Sequence, residues 1–199
     1  MGGTVSDTEA SKRALRRDIL AVRNGLTADD VEAAAARLAR RALELPGIAQ
    51  ARTVAAYVSV GQEPGTRPLL DALRARGVRV LLPVLLPDND LDWGDYEGAD
   101  TLVRARRGLW EPGGPPRGRE AVTAADVVLL PGLAVDARGM RLGRGGGSYD
   151  RVLERLDAAG AEPLLAVLLY DTETLGEVPA EAHDRPVHAV VTPSGTRGF

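Results

Sequence analysis

The strongest constraint on how this chain can fold is a set of short apolar runs, rich in β-branched residues and spaced by segments of helical periodicity. Residues 53–60 are almost continuously apolar, as a strand buried on both faces must be. A glycine-bounded turn over 61–65 leads into a helix at 68–76, and 78–82 is the next apolar run. Together 53–82 reads as a βαβ unit, whose crossover should be right-handed. Further runs at 126–130, 163–169 and 187–191, with a helix at 148–159, extend the pattern. The expected architecture is a three-layer α/β sandwich, a mainly parallel sheet with helices on both faces. At 199 residues with no break in composition, the expectation is a single domain over 8–199 behind a disordered tail at 1–7.

Two helices precede the sheet. Residues 11–26 place Leu15, Ile19 and Val22 at helical spacing behind a basic head of Lys12, Arg13, Arg16 and Arg17. Thr27 with Asp30 has the form of a capping box, opening an alanine-rich second helix that Pro46 and Gly47 stop, and the two helices read as a hairpin. Later, 91–96 alternates like an exposed strand, and 108–118 is a Pro/Gly-rich surface excursion.

Composition closes several chemistries. Without cysteine there is no disulfide, thiolate metal site or cysteine nucleophile. A net charge of −3 argues against a dedicated nucleic-acid binder. No leader opens the chain and no apolar run is long enough to cross a bilayer, so a soluble cytoplasmic protein is expected. His183 and His188 stand five apart with no third ligand, too little for zinc. Lys12 is the only lysine. A compact ammonium does what a planar guanidinium cannot, which makes it a candidate for a specific role.

The chemistry concentrates in residues 129–153, an apolar strand, a long glycine-rich loop and the start of a helix. Gly143, Gly145, Gly146 and Gly147 let the backbone approach a ligand, while Arg141 and Arg144 bring fixed positive charge. Ser148 is placed to cap the helix that follows, whose first N–H groups would face the same anion. The loop is neither of the common phosphate motifs. It lacks the lysine of a Walker loop, and the G-x-G-x-x-G spacing fails at Ser148. The missing lysine could come from Lys12, with Arg16 one turn along the same face. Asp150 and a second carboxylate, Glu181 or Asp184, could serve magnesium on a nucleotide.

At larger scale the residues match a known family. The segment Pro131-Gly132-Leu133-Ala134-Val135-Asp136, then Gly139, then 141–147 and Tyr149-Asp150-Arg151, resembles the signature of the 5-formyltetrahydrofolate cyclo-ligase family. The likeness extends to Lys12-Arg13-x-x-Arg16, Glu63-x-x-Thr66, Leu109-Trp110-Glu111-Pro112 and Pro179-x-Glu181-x-His183-Asp184, covering nearly the whole chain in order.

The resemblance implies a NagB/RpiA/CoA transferase-like fold. It also implies ATP- and Mg2+-dependent conversion of 5-formyltetrahydrofolate to 5,10-methenyltetrahydrofolate; a monomer is expected, and the charge and short apolar runs leave no nucleic acid or membrane partner expected. Carried over by position, Lys12, Arg16, Arg141, Leu142, Gly143, Arg144, Gly145, Gly146, Gly147, Ser148 and Tyr149 would meet ATP. Val58, Glu63 and Trp110, with the stretch from Gly145 to Tyr149, would meet the folate. Arg144 and Tyr149 would stand at the chemistry, and Asp150 and Asp184 would serve the metal. Two departures touch the folate side: Ser148 stands where many members carry tyrosine, and Pro64-Gly65 replaces a β-branched and acidic pair. The rival readings are a catalytically inactive folate or nucleotide binder and a sugar-phosphate isomerase-like enzyme on a similar fold.

Overall fold

The computed structural model describes residues 6–199. Of the tail expected at 1–7, the first five residues lie outside the described residues. The last two are ordered: Ser6 caps α1 (Asp7–Asn24), its hydroxyl accepting from Glu9 N. An N-cap hydroxyl satisfies an orphan N–H, which is why the helix starts earlier than the apolar spacing suggests.

The capping box at the head of α2 (Ala28–Glu44) forms as expected, with Thr27 and Asp30 bonding reciprocally. Pro46 does not simply stop the chain but opens the single turn α3 (Pro46–Ala49). The hairpin reading of the first two helices does not hold. Leu15, Ile19 and Leu20 of α1 pack with Leu133, Leu142 and Val178, whereas Leu38, Ala39 and Ala42 of α2 lie on the main sheet. Val22 is 65% exposed, and Arg23 is the buried residue beside it, drawn in by partners described below.

The βαβ unit forms from β1 (Thr53–Ala55), α4 (Arg67–Ala75) and β2 (Arg79–Leu85), with β1 and β2 parallel in the register Val54 opposite Val80. β1 is much shorter than the apolar run. Beyond Ala56 the backbone turns its hydrogen bonds inward, Ser59 N donating to Thr66 Oγ1 and Val60 N to Glu63 Oε2. Residues 57–63 thus leave the sheet and become wall.

The strand expected to be exposed is β3 (Leu91–Asp95), an antiparallel edge strand with Leu91 and Trp93 buried. Its cover is the segment read as a surface excursion. β4 (Leu102–Arg104) pairs with β5 (Trp110–Pro112), formed by that segment's early residues, and Pro112 packs so close to Gly94 that a Cβ there would lie 2.5 Å from the proline ring, while residues 113–117 are exposed as expected.

The core continues with β6 (Val127–Pro131), followed by the small antiparallel pair β7 (Ala134–Val135) and β8 (Arg141–Leu142), then α5 (Ser148–Ala158) and β9 (Leu164–Leu168). It ends with β10 (Ala189–Thr192) and β11 (Gly195–Gly198). The last strand has no apolar pattern; a turn through Pro193 and Ser194 folds it back onto β10.

The sheet order is β11-β10-β9-β6-β1-β2-β3, parallel in its five central strands and antiparallel at both edges. Alternate strand residues feed two cores. Val54, Val80, Leu129 and Leu168 meet α2 and α4, while Ala55, Leu81, Val128 and Val167 meet Val152, Leu153 and Leu156 of α5. This is the expected three-layer α/β arrangement. Among the described residues no helix is long and apolar enough to cross a membrane.

Candidate active site

The site is built at the carboxyl ends of the parallel strands, where open α/β sheets leave a crevice. After β6 the chain passes Gly132, where any Cβ would come within 2.8 Å of Val167, and enters the β7–β8 pair. Asp136, fully buried, holds that pair. Its carboxylate accepts from the backbone N–H groups of Arg138 (2.8 Å), Met140 (3.1 Å) and Val178 (3.1 Å) and from the Arg138 guanidinium. Burial works to raise the Asp136 pKa, but these bonds outweigh it and hold the carboxyl below its usual range.

β8 delivers Arg141 into the crevice, where Nη1 donates to Pro131 O at 2.8 Å and Nη2 lies 3.8 Å from Asp150. Burial pushes the Arg141 guanidinium down against the opposing pull of Asp150, Tyr149 and Asp184. It is a buried cation short of counter-charge, the condition under which an incoming anion gains most.

The glycine loop follows. Gly145 and Gly147 take left-handed φ values of 89° and 75°, and around Gly146 and Gly147 there is open space where a side chain would stand. Gly147 is the N-cap of α5 and Ser148 its first helical residue, so the capping role expected of Ser148 does not occur. No side chain caps α5, and its first-turn N–H groups are available to an anion from the cavity.

From the other side α1 brings two cations. Arg16 donates through Nε to Gly143 O at 2.9 Å and pairs with Glu9. Lys12 is buried and pairs with Glu181 at 2.9 Å and Asp184 at 2.6 Å. Burial alone would lower the Lys12 pKa, yet the bonds to these carboxylates raise it above its ordinary value, so it stays cationic. Asp184 shows the converse: its burial is outweighed by Lys12 and by the Glu181 N–H, and its carboxyl stays low.

The third wall is the turn after β1. Glu63 is buried, with Oε2 on Val60 N at 2.9 Å and Oε1 3.2 Å from Arg144 Nε. Tyr57 and Tyr149 flank it, and burial, reinforced by the Glu63 charge, pushes both phenols up so that they remain donors. Trp110 closes the mouth with the guanidinium carbons of Arg67 and Arg104 at 5.2 and 4.7 Å from its ring.

All of these surfaces enclose one cavity of about 540 Å3. Every residue expected at the site reaches it: Lys12, Arg16, Val58, Glu63, Trp110, the whole stretch from Arg141 to Asp150, and Asp184. Sequence reasoning missed Tyr57 and the apolar lining of Leu85 and Leu91. Tyr57 sits in the apolar run 53–60 and reads simply as core, whereas Leu85 lies past the run at 78–82 and Leu91 in the strand read as exposed.

The sequence model of the 5-formyltetrahydrofolate cyclo-ligase family matches residues 8–193. The chain belongs to this family. Among cyclo-ligase relatives, that of Mycolicibacterium smegmatis is 50% identical over 147 residues, covering 71% of this chain and 74% of the relative. That of Escherichia coli K12 is 34% identical over 174 residues, covering 86% and 94%. The NMR structure of Aquifex aeolicus 5,10-methenyltetrahydrofolate synthetase superposes with a TM-score of 0.79 at 25% identity, over 94% of this chain and 92% of that one. The matched range includes both Lys12 and the loop around Asp184.

Proposed function

We propose that this chain converts 5-formyltetrahydrofolate and ATP to 5,10-methenyltetrahydrofolate, ADP and phosphate. The observation that carries the reading is that one cavity joins an anion-binding half, made of Lys12, Arg16, Arg141 and the glycine loop, to a half with a buried carboxylate, tyrosines and Trp110.

A formyl amide is a poor electrophile whose oxygen is a poor leaving group. Attack of that oxygen on the γ-phosphorus forms a new O–P bond as the bond to ADP breaks. N10 of the same folate then bonds to the activated carbon and gives up its proton, and the C–O bond breaks as phosphate departs. The protein's task in such a transfer is alignment and charge stabilisation.

Lys12, Arg16, Arg141 and the backbone of Gly143 to Gly147 grip the phosphates. Arg144 reaches the transferring group, and Ser148 and Leu142 line its path. Glu63, fixed by Val60 N, accepts from the N–H groups of the pterin, with Val58 beside it and Trp110 covering the folate. Tyr149, kept protonated by burial, donates near the formyl oxygen.

Magnesium fits the donor set as a passenger on the nucleotide. Asp150 is mostly exposed with only Arg141 nearby, and no group of three or more candidate ligands exists among the described residues to cage a metal alone. Asp150 and Asp184 would hold it. When bound it supplies neutralisation of phosphate charge and fixes phosphate oxygens. All the residues named come from one chain, and the monomer is the proposed working unit.

The test is to mix protein, magnesium, ATP and 5-formyltetrahydrofolate and follow the methenyl chromophore. ATP-dependent product is expected, and its absence overturns the reading. Asp150→Asn should raise the magnesium concentration needed for half-maximal rate. Normal activity at limiting magnesium would remove Asp150 from the metal site.

A further inference from the structure

The folate side of the cavity hangs on a turn that is nearly self-contained. In residues 57–66, Ser59 and Thr66 bond to each other twice, Thr66 Oγ1 donates to Tyr57 O, and Glu63 and Val60 bond reciprocally. Gly61 at the tip takes φ 56°. Among the described residues two polar side chains from elsewhere bond to the 58–65 stretch, beside the apolar packing of Ala35 on Gly65. One is Arg144, itself half-exposed on the open glycine loop. The other is Tyr170, whose hydroxyl donates to Gln62 O at 2.9 Å.

Tyr170 is firmly mounted. It follows the carboxyl end of β9, and its N–H donates to Glu173 Oε2 at 3.0 Å. The Arg23 guanidinium carbon lies 5.7 Å from its ring centroid. Arg23 and Glu173 form a buried bidentate pair at 2.7 and 2.9 Å, and Arg23 also donates to Gly132 O at 2.8 Å. The end of α1, the start of the β7–β8 segment and the chain after β9 are therefore tied together around Tyr170, whose phenol touches the backbone beside Glu63.

We infer that Tyr170 is a positioning residue for the substrate, holding the Gln62 carbonyl so that the buried Glu63 carboxylate keeps its aim into the cavity. This rests on the proposed role of Glu63. Without the hydroxyl the one polar side chain from elsewhere still holding the turn is Arg144, a cation that the proposed reaction directs to phosphate. Burial pushes the Tyr170 phenol up to about 12, so the donor persists across the working pH range.

Tyr170→Phe removes one oxygen and leaves the ring stacked. Steady-state constants are measured for wild type, Tyr170→Phe, Glu63→Gln and the double variant. Tyr170→Phe is expected to raise the KM for 5-formyltetrahydrofolate about fivefold, the scale of one net hydrogen bond. The KM for ATP and kcat should stay within about twofold, a split that general loosening of the fold does not give. In the Glu63→Gln background the same substitution should add little, because its effect passes through Glu63. An unchanged folate KM, an equal rise in both backgrounds, or an equal rise in the ATP KM overturns the inference. If Glu63→Gln itself binds folate normally, or wild type forms no product, the functional reading fails and takes this one with it. A damaged Glu63→Gln beside an undamaged Tyr170→Phe refutes this inference alone.

Discussion

The glycine-loop wall of the cavity and the frame behind it treat charge in opposite ways. In the frame, Arg23 and Glu173 are both about 95% or more buried and spend their bonding capacity on each other, Gly132 and Tyr170, and Asp136 takes three backbone donors. On the wall, Arg144 has a single carboxylate contact at 3.2 Å, Asp150 has one distant cation at 3.8 Å, and α5 starts without a side-chain cap. A buried charge with unmet bonding capacity is costly, so a frame must be saturated. Groups with capacity to spare are tolerable only where solvent or a ligand can fill it. The comparison separates residues that keep the shape from those proposed to meet the substrates, using partners alone.

The sharpest way to break the comparison is to cut the frame. Arg23→Ala leaves Glu173 buried without its cation and should destabilise the protein by about 3–5 kcal/mol in equilibrium denaturation. A loss under about 1 kcal/mol would mean the pair is dispensable and the frame is not set by saturation.

Lys12 stands between the two classes, buried like the frame yet lining the cavity. Its carboxylate partners are partly open, Asp184 by 20% and Glu181 by 32%, so Lys12 can exchange them for phosphate. Lys12→Ala should raise the ATP KM about 30-fold or more, the scale of a lost charge-assisted contact, with a much smaller change in folding stability than Arg23→Ala gives. Unchanged nucleotide affinity would move Lys12 into the frame and make the lone lysine a structural residue.

This division explains what could be read from the chain itself. The βαβ unit was legible because strands buried on both faces must be apolar throughout, and the capping box because its two bonds are local in sequence. The cavity residues were legible because the glycines, arginines and Glu63 have chemistry that a core does not ask for. What was hidden depends on distant partners. Arg23 looks like one more basic residue until Glu173, 150 positions away, meets it. Pro112 looks like part of the surface stretch 108–118 until it covers Gly94, although 113–117 are exposed as expected. β11 carries no apolar alternation because it is an edge strand with mostly exposed residues, and only the turn before it marks it. Ser148 has the right chemistry for a cap but sits one residue too late, since Gly147 takes the capping position with a left-handed φ.

The smallest expected effect tests the wall residue by residue. Gly146 and Gly147 both have open space where a Cβ would go, yet they differ in backbone: Gly147 has φ 75°, which L side chains disfavour, whereas Gly146 lies outside the left-handed region. Gly147→Ala should therefore cost about 1 kcal/mol of stability from backbone strain. Gly146→Ala should cost less than about 0.5 kcal/mol, the range of an ordinary surface change. Function should reverse that order of severity. If phosphate packs against the bare backbone, the new methyl at Gly146 occupies the ligand's space, and the ATP KM rises severalfold in a protein that is as stable as wild type. If ATP binds the Gly146→Ala protein normally, the open space beside this glycine is solvent and phosphate does not rest there. The anion grip would then be reduced to the arginines, Lys12 and the amino end of α5.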